Sequence, residues 1–131
     1  MAAKRIVVQC IEIADTVGSL QALLTDAAEA GVDLQCFTAF SAGGGKGQVC
    51  LSAKEPAGLA DCLKQTGIEA TEAAGFIVGG DDTIGAAAKA LKGLADAGIN
   101  GKAGAAIVCG EQYHMLIVVD AADADAAVDV L

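Results

Sequence analysis

One segment of this sequence occurs twice, and the repetition constrains the fold more than any other feature. Residues 15–33 read DTVGSLQALLTDAAEAGVD, and residues 82–100 read DTIGAAAKALKGLADAGIN. The two segments align without a gap at an offset of 67 positions, with identical or similar residues at both ends. The chain therefore predicts two copies of one supersecondary unit.

The first copy begins with a predicted strand that leads into a helix. Residues 5–13, RIVVQCIEI, are rich in β-branched residues, which favour a strand. Asp15 and Thr16 follow as candidate N-caps, because their side-chain oxygens can accept hydrogen bonds from the first helical amides. Apolar residues then recur at helical spacing over residues 17–30, and Gly31 ends the predicted helix.

A hairpin and a shorter helix complete the first copy. Residues 33–41 and 48–53 alternate between apolar and polar side chains on either side of GGGKG, so they predict a β-hairpin around a glycine loop. Pro56 then opens a helix that runs to about Gln65, since proline is tolerated in a first helical turn.

The second copy repeats this order. Residues 68–79 predict an extended segment, and residues 84–97 predict a helix. A second hairpin should turn near Gly110 and Glu111, after which the chain finishes in AADADAAVDVL, with no further strand. A sheet edge is then expected beside the apolar residues 115–119, MLIVV. It would be covered either by a second chain in a twofold dimer or, within one chain, by residues 5–13 or 68–79.

These elements predict an α+β protein of tandem ferredoxin-like repeats. Each β-α-β-β-α-β repeat would form an antiparallel sheet with helices on one face, and the second repeat would lack its last strand. We expect the first repeat to span residues 1–74 and the second residues 75–131.

The duplicated segments resemble the signature of ACT domains, small regulatory modules that bind amino acids. Both carry an acidic residue, two further residues, a glycine, an apolar helix, and then Ala-Gly-Val-Asp or Ala-Gly-Ile-Asn. Val17 and Ile84 occupy the position where many members have proline. The resemblance implies a non-enzymatic sensor with tandem modules that binds an amino acid or related metabolite, reports to a client enzyme, and pairs as a homodimer.

The residues of the repeated turn indicate how such a ligand could bind. A glycine at a helix start allows close approach to the first-turn amides, which can donate to a carboxylate. An acidic or amide side chain before the next strand could meet an ammonium group. The candidate ligand-binding residues are Asp15, Thr16, Val17, Gly18, Ser19, Asp33, Asp82, Thr83, Ile84, Gly85 and Asn100. In the alternative interpretation, Gly18 and Gly85 are tight packing points, and Asp15 and Asp82 are only helix caps.

Composition excludes several classes of protein. The net charge of −9 and the aromatic content of 3% argue against nucleic acid as a partner. Residues 68–131 carry ten acidic and three basic side chains. No apolar run reaches the length of a membrane span, so we expect no membrane association and a cytoplasmic location. The five cysteines have no paired spacing, which favours reduced thiols.

No other motif predicts chemistry. AGGGKGQ lacks the Ser or Thr and the following helix of a phosphate-binding loop. His114 is the only histidine and lies in an alternating strand, so we predict neither a metal site nor a catalytic pair, and no cofactor. Two alternatives to the sensor remain: an interaction module that oligomerises through its sheet edges without a ligand, and a thiol-dependent redox or metal-handling protein.

Overall fold

A computed structural model describes residues 3–131, which form six strands and four helices in the predicted order. In chain order the elements are β1 (Lys4–Ala14), α1 (Ser19–Glu29), β2 (Leu34–Gly43), β3 (Lys46–Ala53), α2 (Pro56–Gln65), β4 (Ala70–Asp81), α3 (Ala86–Asp96), β5 (Ala103–Cys109), β6 (Gln112–Asp120) and α4 (Ala124–Val128). A short 3₁₀ turn, Ala121–Asp123, connects β6 to α4. Both hairpins turn where the sequence predicts, and α2 has the predicted bounds.

One compact unit spans Val7–Glu72. Its antiparallel strands lie in the order β2–β3–β1, with Ile11 of β1 opposite Val49 of β3. Alternate residues of β3 point towards the two helices, so α1 and α2 cover the same face of this sheet. The buried apolar cluster between them consists of Ile11, Leu23, Val49, Leu51, Ala53, Leu59 and Leu63.

The other compact unit consists of Ala73–Leu131 together with the start of β1, up to Ile6. Its strands lie in the order β4–β6–β5, and α3 and α4 cover one face. The core is formed by Ala74, Phe76, Val78, Leu94, Ile99, Met115, Ile117, Val119, Ala124 and Ala127. The predicted repeat boundary between residues 74 and 75 concerns the duplication and remains a prediction.

The sheet edge beside residues 115–119 is covered within the chain by the strand predicted at residues 68–79, which was one of the two predicted alternatives, so no second chain is needed there. These residues belong to β6, which pairs with β4 on one side and β5 on the other, and all five are buried. The most apolar strand takes the central position because a central strand loses the most water-accessible surface. The outer strand of this unit is β5, whose residues 104–109 are all exposed.

Each of the three longer helices ends in the same glycine motif. After α1, Gly31 has a φ of 76° and donates its N–H to the Ala28 carbonyl oxygen at 3.0 Å, while Val32 donates to Ala27 at 2.9 Å. This pair of bonds is the Schellman motif, which satisfies carbonyl groups that a helix end leaves unpaired. The same two bonds close α2 at Gly67 and α3 at Gly98.

Gly93 of α3 and Gly58 of α2 form a matched pair of variants that tests how closely α3 approaches Val130. A Cβ atom at Gly93 in α3 would overlap with the Val130 carbonyl oxygen, whereas a Cβ atom at Gly58 in α2 would meet nothing within 4 Å. We expect Gly93→Ala to lower the free energy of unfolding by about 1–3 kcal/mol through overpacking. Gly58→Ala should raise it by up to about 1 kcal/mol, because alanine favours a helix over glycine. Urea denaturation of both variants measures the difference, and equal effects would contradict the close approach.

Candidate functional site

The repeated segment forms the same turn in both copies. Thr16 accepts a hydrogen bond from the Ser19 N–H at 3.1 Å, and Gly18 between them has φ 86° and ψ −5°. These angles match the third residue of a type II turn, which requires a positive φ. In the second copy, Thr83 accepts from the Ala86 N–H at 3.1 Å, and Gly85 has φ 84° and ψ 6°.

Gly18 and Gly85 are the N-caps of α1 and α3, so the prediction that Asp15 and Thr16 cap the first helix is wrong. Because of the type II turn, the N-cap of α1 lies two or three residues after the predicted caps Thr16 and Asp15. The main-chain N–H of Asp15 donates instead to the Gly45 carbonyl at 2.9 Å, and that of Asp82 to the Glu111 carbonyl at 2.8 Å.

The alternative in which these glycines are tight packing points is also wrong. A Cβ atom built at Gly18 or at Gly85 would meet no atom within 4 Å. Glycine is needed at these positions because of the positive φ, which costs an L-residue about 1–2 kcal/mol. The space around both turns is therefore open.

The first-turn amides of both helices are available to a ligand. In α1 the first intrahelical bond runs from the Ala22 N–H to the Gly18 carbonyl at 2.9 Å, so the amides of Leu20 and Gln21 precede the helical ladder. Glycine has no side chain that could cap them, and the first turn holds no acidic residue. The positive end of the helix dipole therefore favours an anion at this point.

Asp33 lies at the far end of α1 from this turn, which corrects the prediction that one repeat holds both charged groups of an amino acid. The eleven-residue helix separates them by about 16 Å, at 1.5 Å per residue. The Asp33 carboxylate instead accepts from the Lys54 ammonium at 2.8 Å. Asn100 is likewise beyond the end of α3, at an exposed position before β5.

A groove of about 580 Å³ runs from the first turn along α1. Of the predicted residues, it brings together Thr16 and Gly18. The groove is also lined by five residues that were not among the predicted ones, namely Leu20, Gln21, Leu24, Thr25 and Ala28. Their spacing could have identified them, because residues four apart share a helix face: Leu20, Leu24 and Ala28 form an apolar row, and Gln21 donates to Thr25 at 2.9 Å beside it.

The second copy places its turn beside a different cavity, of about 430 Å³. Thr83 lines this cavity together with Asp81 at the end of β4 and Lys89 in the first turn of α3. Tyr113 of β6 and the terminal residues Val130 and Leu131 also line it. Gly85 is not among the lining residues. The two turns are therefore alike in backbone geometry and different in the surface beside them.

One apolar side chain at each turn is fully exposed. Val17 and Ile84, at the second position of the two turns, have relative exposures of 107% and 108%. Both occupy the position that favours proline in a type II turn, where the side chain projects away from the chain. Each turn thus offers an apolar contact next to its free amides.

The fold is α+β with tandem ferredoxin-like repeats, as the sequence predicted, and solved structures with a similar fold match almost the whole chain. A protein from Bacteroides thetaiotaomicron matches 98% of this chain and 88% of its own with a TM-score of 0.80 at 16% identity. The regulatory subunit of aspartate kinase from Thermus thermophilus matches 98% and 92% with a TM-score of 0.70 at 20% identity.

A third similar structure is a putative C-terminal regulatory domain of aspartate kinase from Porphyromonas gingivalis, with a TM-score of 0.60 at 15% identity over 99% of this chain and 91% of its own. No protein-family model matches the sequence, and no curated protein does. The likeness is thus one of fold.

Within residues 3–131, no helix combines the length and the apolar character needed to cross a membrane.

The left-handed turn can be tested by substitution at Gly18. Gly18→Ala should lower the free energy of unfolding by about 1–2 kcal/mol, because alanine is strained at a positive φ even where space is open. Gly18→Asn should cost less, since asparagine tolerates this region better than other residues. Urea denaturation monitored by circular dichroism measures both. An unchanged midpoint for Gly18→Ala would mean that the turn does not have this conformation.

Proposed function

We propose that this protein is a non-enzymatic regulatory module that binds a small amino acid or related metabolite and reports it to a client enzyme. The observation that carries the proposal is the repeated turn, in which a left-handed glycine leaves the first helical amides without a cap. An amide pair at the positive end of a helix suits a carboxylate, which every amino acid has.

The ligand carboxylate would accept hydrogen bonds from the Leu20 and Gln21 amides. Asp15 would meet the ammonium group, since its carboxylate has no hydrogen bond or ion pair within residues 3–131. An aliphatic side chain would then lie along the groove, against Leu20 and Leu24. The equivalent donors in the second copy belong to Ala87 and Ala88, with Asp82 in the place of Asp15.

The similar structures support a regulatory role over a catalytic one. One of them is a regulatory subunit of aspartate kinase, and another is a putative C-terminal regulatory domain of aspartate kinase. A client enzyme of amino-acid metabolism is therefore the partner that we infer for this protein. Its cytoplasmic location follows from the same inference.

A homodimer forms part of the proposal. The outer strand β5 contains no charged residue or proline, and Ile107 and Val108 are 67% and 53% exposed. Such an edge offers unpaired backbone groups to a further strand. In such a dimer, a second copy of the chain could bring Asp33 or Asn100 to a turn that these residues cannot reach within their own repeat.

Binding can be tested with variants at the two ends of one helix. Calorimetric titration with the twenty protein amino acids should identify a ligand, and Gly18→Ala should then weaken its binding tenfold or more by displacing the Leu20 and Gln21 amides. Gly31→Ala is the matched control, because Gly31 has a similar φ of 76° and equally open space at the other end of α1. It should cost a comparable free energy of unfolding and leave the affinity unchanged.

Two outcomes would contradict the proposed ligand site. If no amino acid binds, the protein is an interaction module of the kind that its exposed edge strand also favours. If one binds and both variants weaken it equally, loss of stability accounts for the effect and the turn is not the site.

The dimer can be tested by placing a charge on the outer strand. Sedimentation should give twice the chain mass of 12.9 kDa, and Ile107→Lys should give a single chain, because a buried lysine would lose its hydration at the interface. Val128→Lys, on α4 and 42% exposed, is the control and should remain a dimer. A wild-type mass of one chain at micromolar concentration, unchanged by added amino acids, would exclude this part of the proposal.

A further inference from the structure

Two cysteines lie directly opposite each other on neighbouring strands. Cys10 of β1 is paired with Cys50 of β3 in the antiparallel register, and their sulfur atoms are 3.6 Å apart. The neighbouring pair, Ile11 and Val49, points into the apolar core. Because side chains alternate along a strand, both thiols lie on the opposite face of this sheet.

The backbone at this pair already has the spacing of a disulfide. Residues directly opposite in an antiparallel ladder have Cα atoms roughly 4.5–5.5 Å apart. A disulfide requires a Cα separation of about 4.4–6.8 Å. The two thiols therefore need side-chain rotation rather than movement of β1 or β3. Both are partly buried, so a small oxidant has access while a protein thiol is hindered.

The other three cysteines are in different positions. Cys36 of β2 shares the face of Cys50, but Thr38 is the residue opposite Cys50, so Cys36 lies on the diagonal. Diagonal neighbours are about 7–8 Å apart, with their Cβ atoms somewhat closer, so a disulfide between Cys36 and Cys50 would need a larger rearrangement than one between Cys10 and Cys50. Cys62 is buried in α2, and Cys109 is exposed on β5.

We propose that Cys10 and Cys50 form a reversible intramolecular disulfide, so that the pair is an oxidative modification site for hydrogen peroxide. One thiolate attacks the peroxide, the O–O bond breaks, and an S–O bond forms as one water leaves. The second thiolate attacks this sulfenic acid sulfur, the S–S bond forms, and the S–O bond breaks with loss of hydroxide, which takes up a proton. In total, two thiols lose two hydrogen atoms, and one peroxide is reduced to two waters.

The cross-link would connect the two strands that carry the first turn. β1 runs directly into that turn, and the Asp15 N–H donates to Gly45 in the β2–β3 loop at 2.9 Å. The disulfide would fix β1 to β3 five residues before this contact. The inference itself does not depend on ligand binding, since it rests only on the pairing and the sulfur positions.

The test uses the full chain at low micromolar concentration, treated with hydrogen peroxide and then with N-ethylmaleimide, with intact mass as the readout. The oxidised protein should carry two fewer alkylated thiols than the reduced control, and dithiothreitol should restore both. Cys36→Ser should show the same loss of two thiols, whereas Cys10→Ser should show none. These two variants are matched, because each removes one thiol from the same face of the sheet.

Peptide mapping of the wild-type chain tests the same disulfide without any substitution, so its result does not depend on whether a variant folds. Trypsin leaves Cys10 and Cys36 together on residues 6–46, and a glutamate-specific protease leaves Cys36 and Cys50 together on the peptide that begins at residue 30. The two proteases are therefore combined, which places Cys10 on residues 6–12, Cys36 on residues 30–46 and Cys50 on residues 47–54. Residues 6–12 linked to residues 47–54 support the proposal. A link confined to Cys36 and Cys50, a link between chains through Cys109 alone, or no protected thiol would overturn it.

Discussion

A left-handed glycine stands at each end of α1 and of α3, and the rest of each repeat depends on these four backbone conformations. Gly18 and Gly85 turn the chain from a strand into a helix, and Gly31 and Gly98 turn it back towards the next strand. A side chain at a positive φ is strained, so a residue with a Cβ atom would shift the ends of the helix. Both helices consequently have eleven residues and present their free first-turn amides at the same point.

The two repeats keep this backbone and distribute side-chain volume differently within it. In the first, Ile13 of β1 lies opposite Gly47 of β3; in the second, the matching pair is Gly80 opposite Tyr113. The large side chain of the pair is therefore on β1 in the first repeat and on β6 in the second, where it is a tyrosine. Close packing requires such reciprocal changes, because a core tolerates neither voids nor overlap.

The helices of the second repeat bury smaller side chains than those of the first. Leu23 is buried in the first repeat, and its equivalent at the 67-residue offset is Ala90, beside the cavity of the second. The last helix, α4, has five residues where α2 has ten, and its buried residues are alanines. The second repeat therefore has an open cavity with Lys89 and Asp81 at its rim, whereas the first has a groove outside its filled core.

The duplicated order of strands and helices and the α+β class can be predicted from the sequence, because they follow from local periodicity and from the positions of glycine. The helix starts were predicted less well, since the sequence placed the start of α1 at residue 17, before the turn at Gly18. The central strand, the position of Asp33 and the pairing of Cys10 with Cys50 are visible only in the tertiary structure. Sequence spacing carries no information on pairing between strands far apart in the chain, since that pairing is selected by burial of the whole apolar face. For the same reason β6 pairs with a strand along each of its edges and is buried, whereas β5 is exposed, although both strands are apolar in sequence.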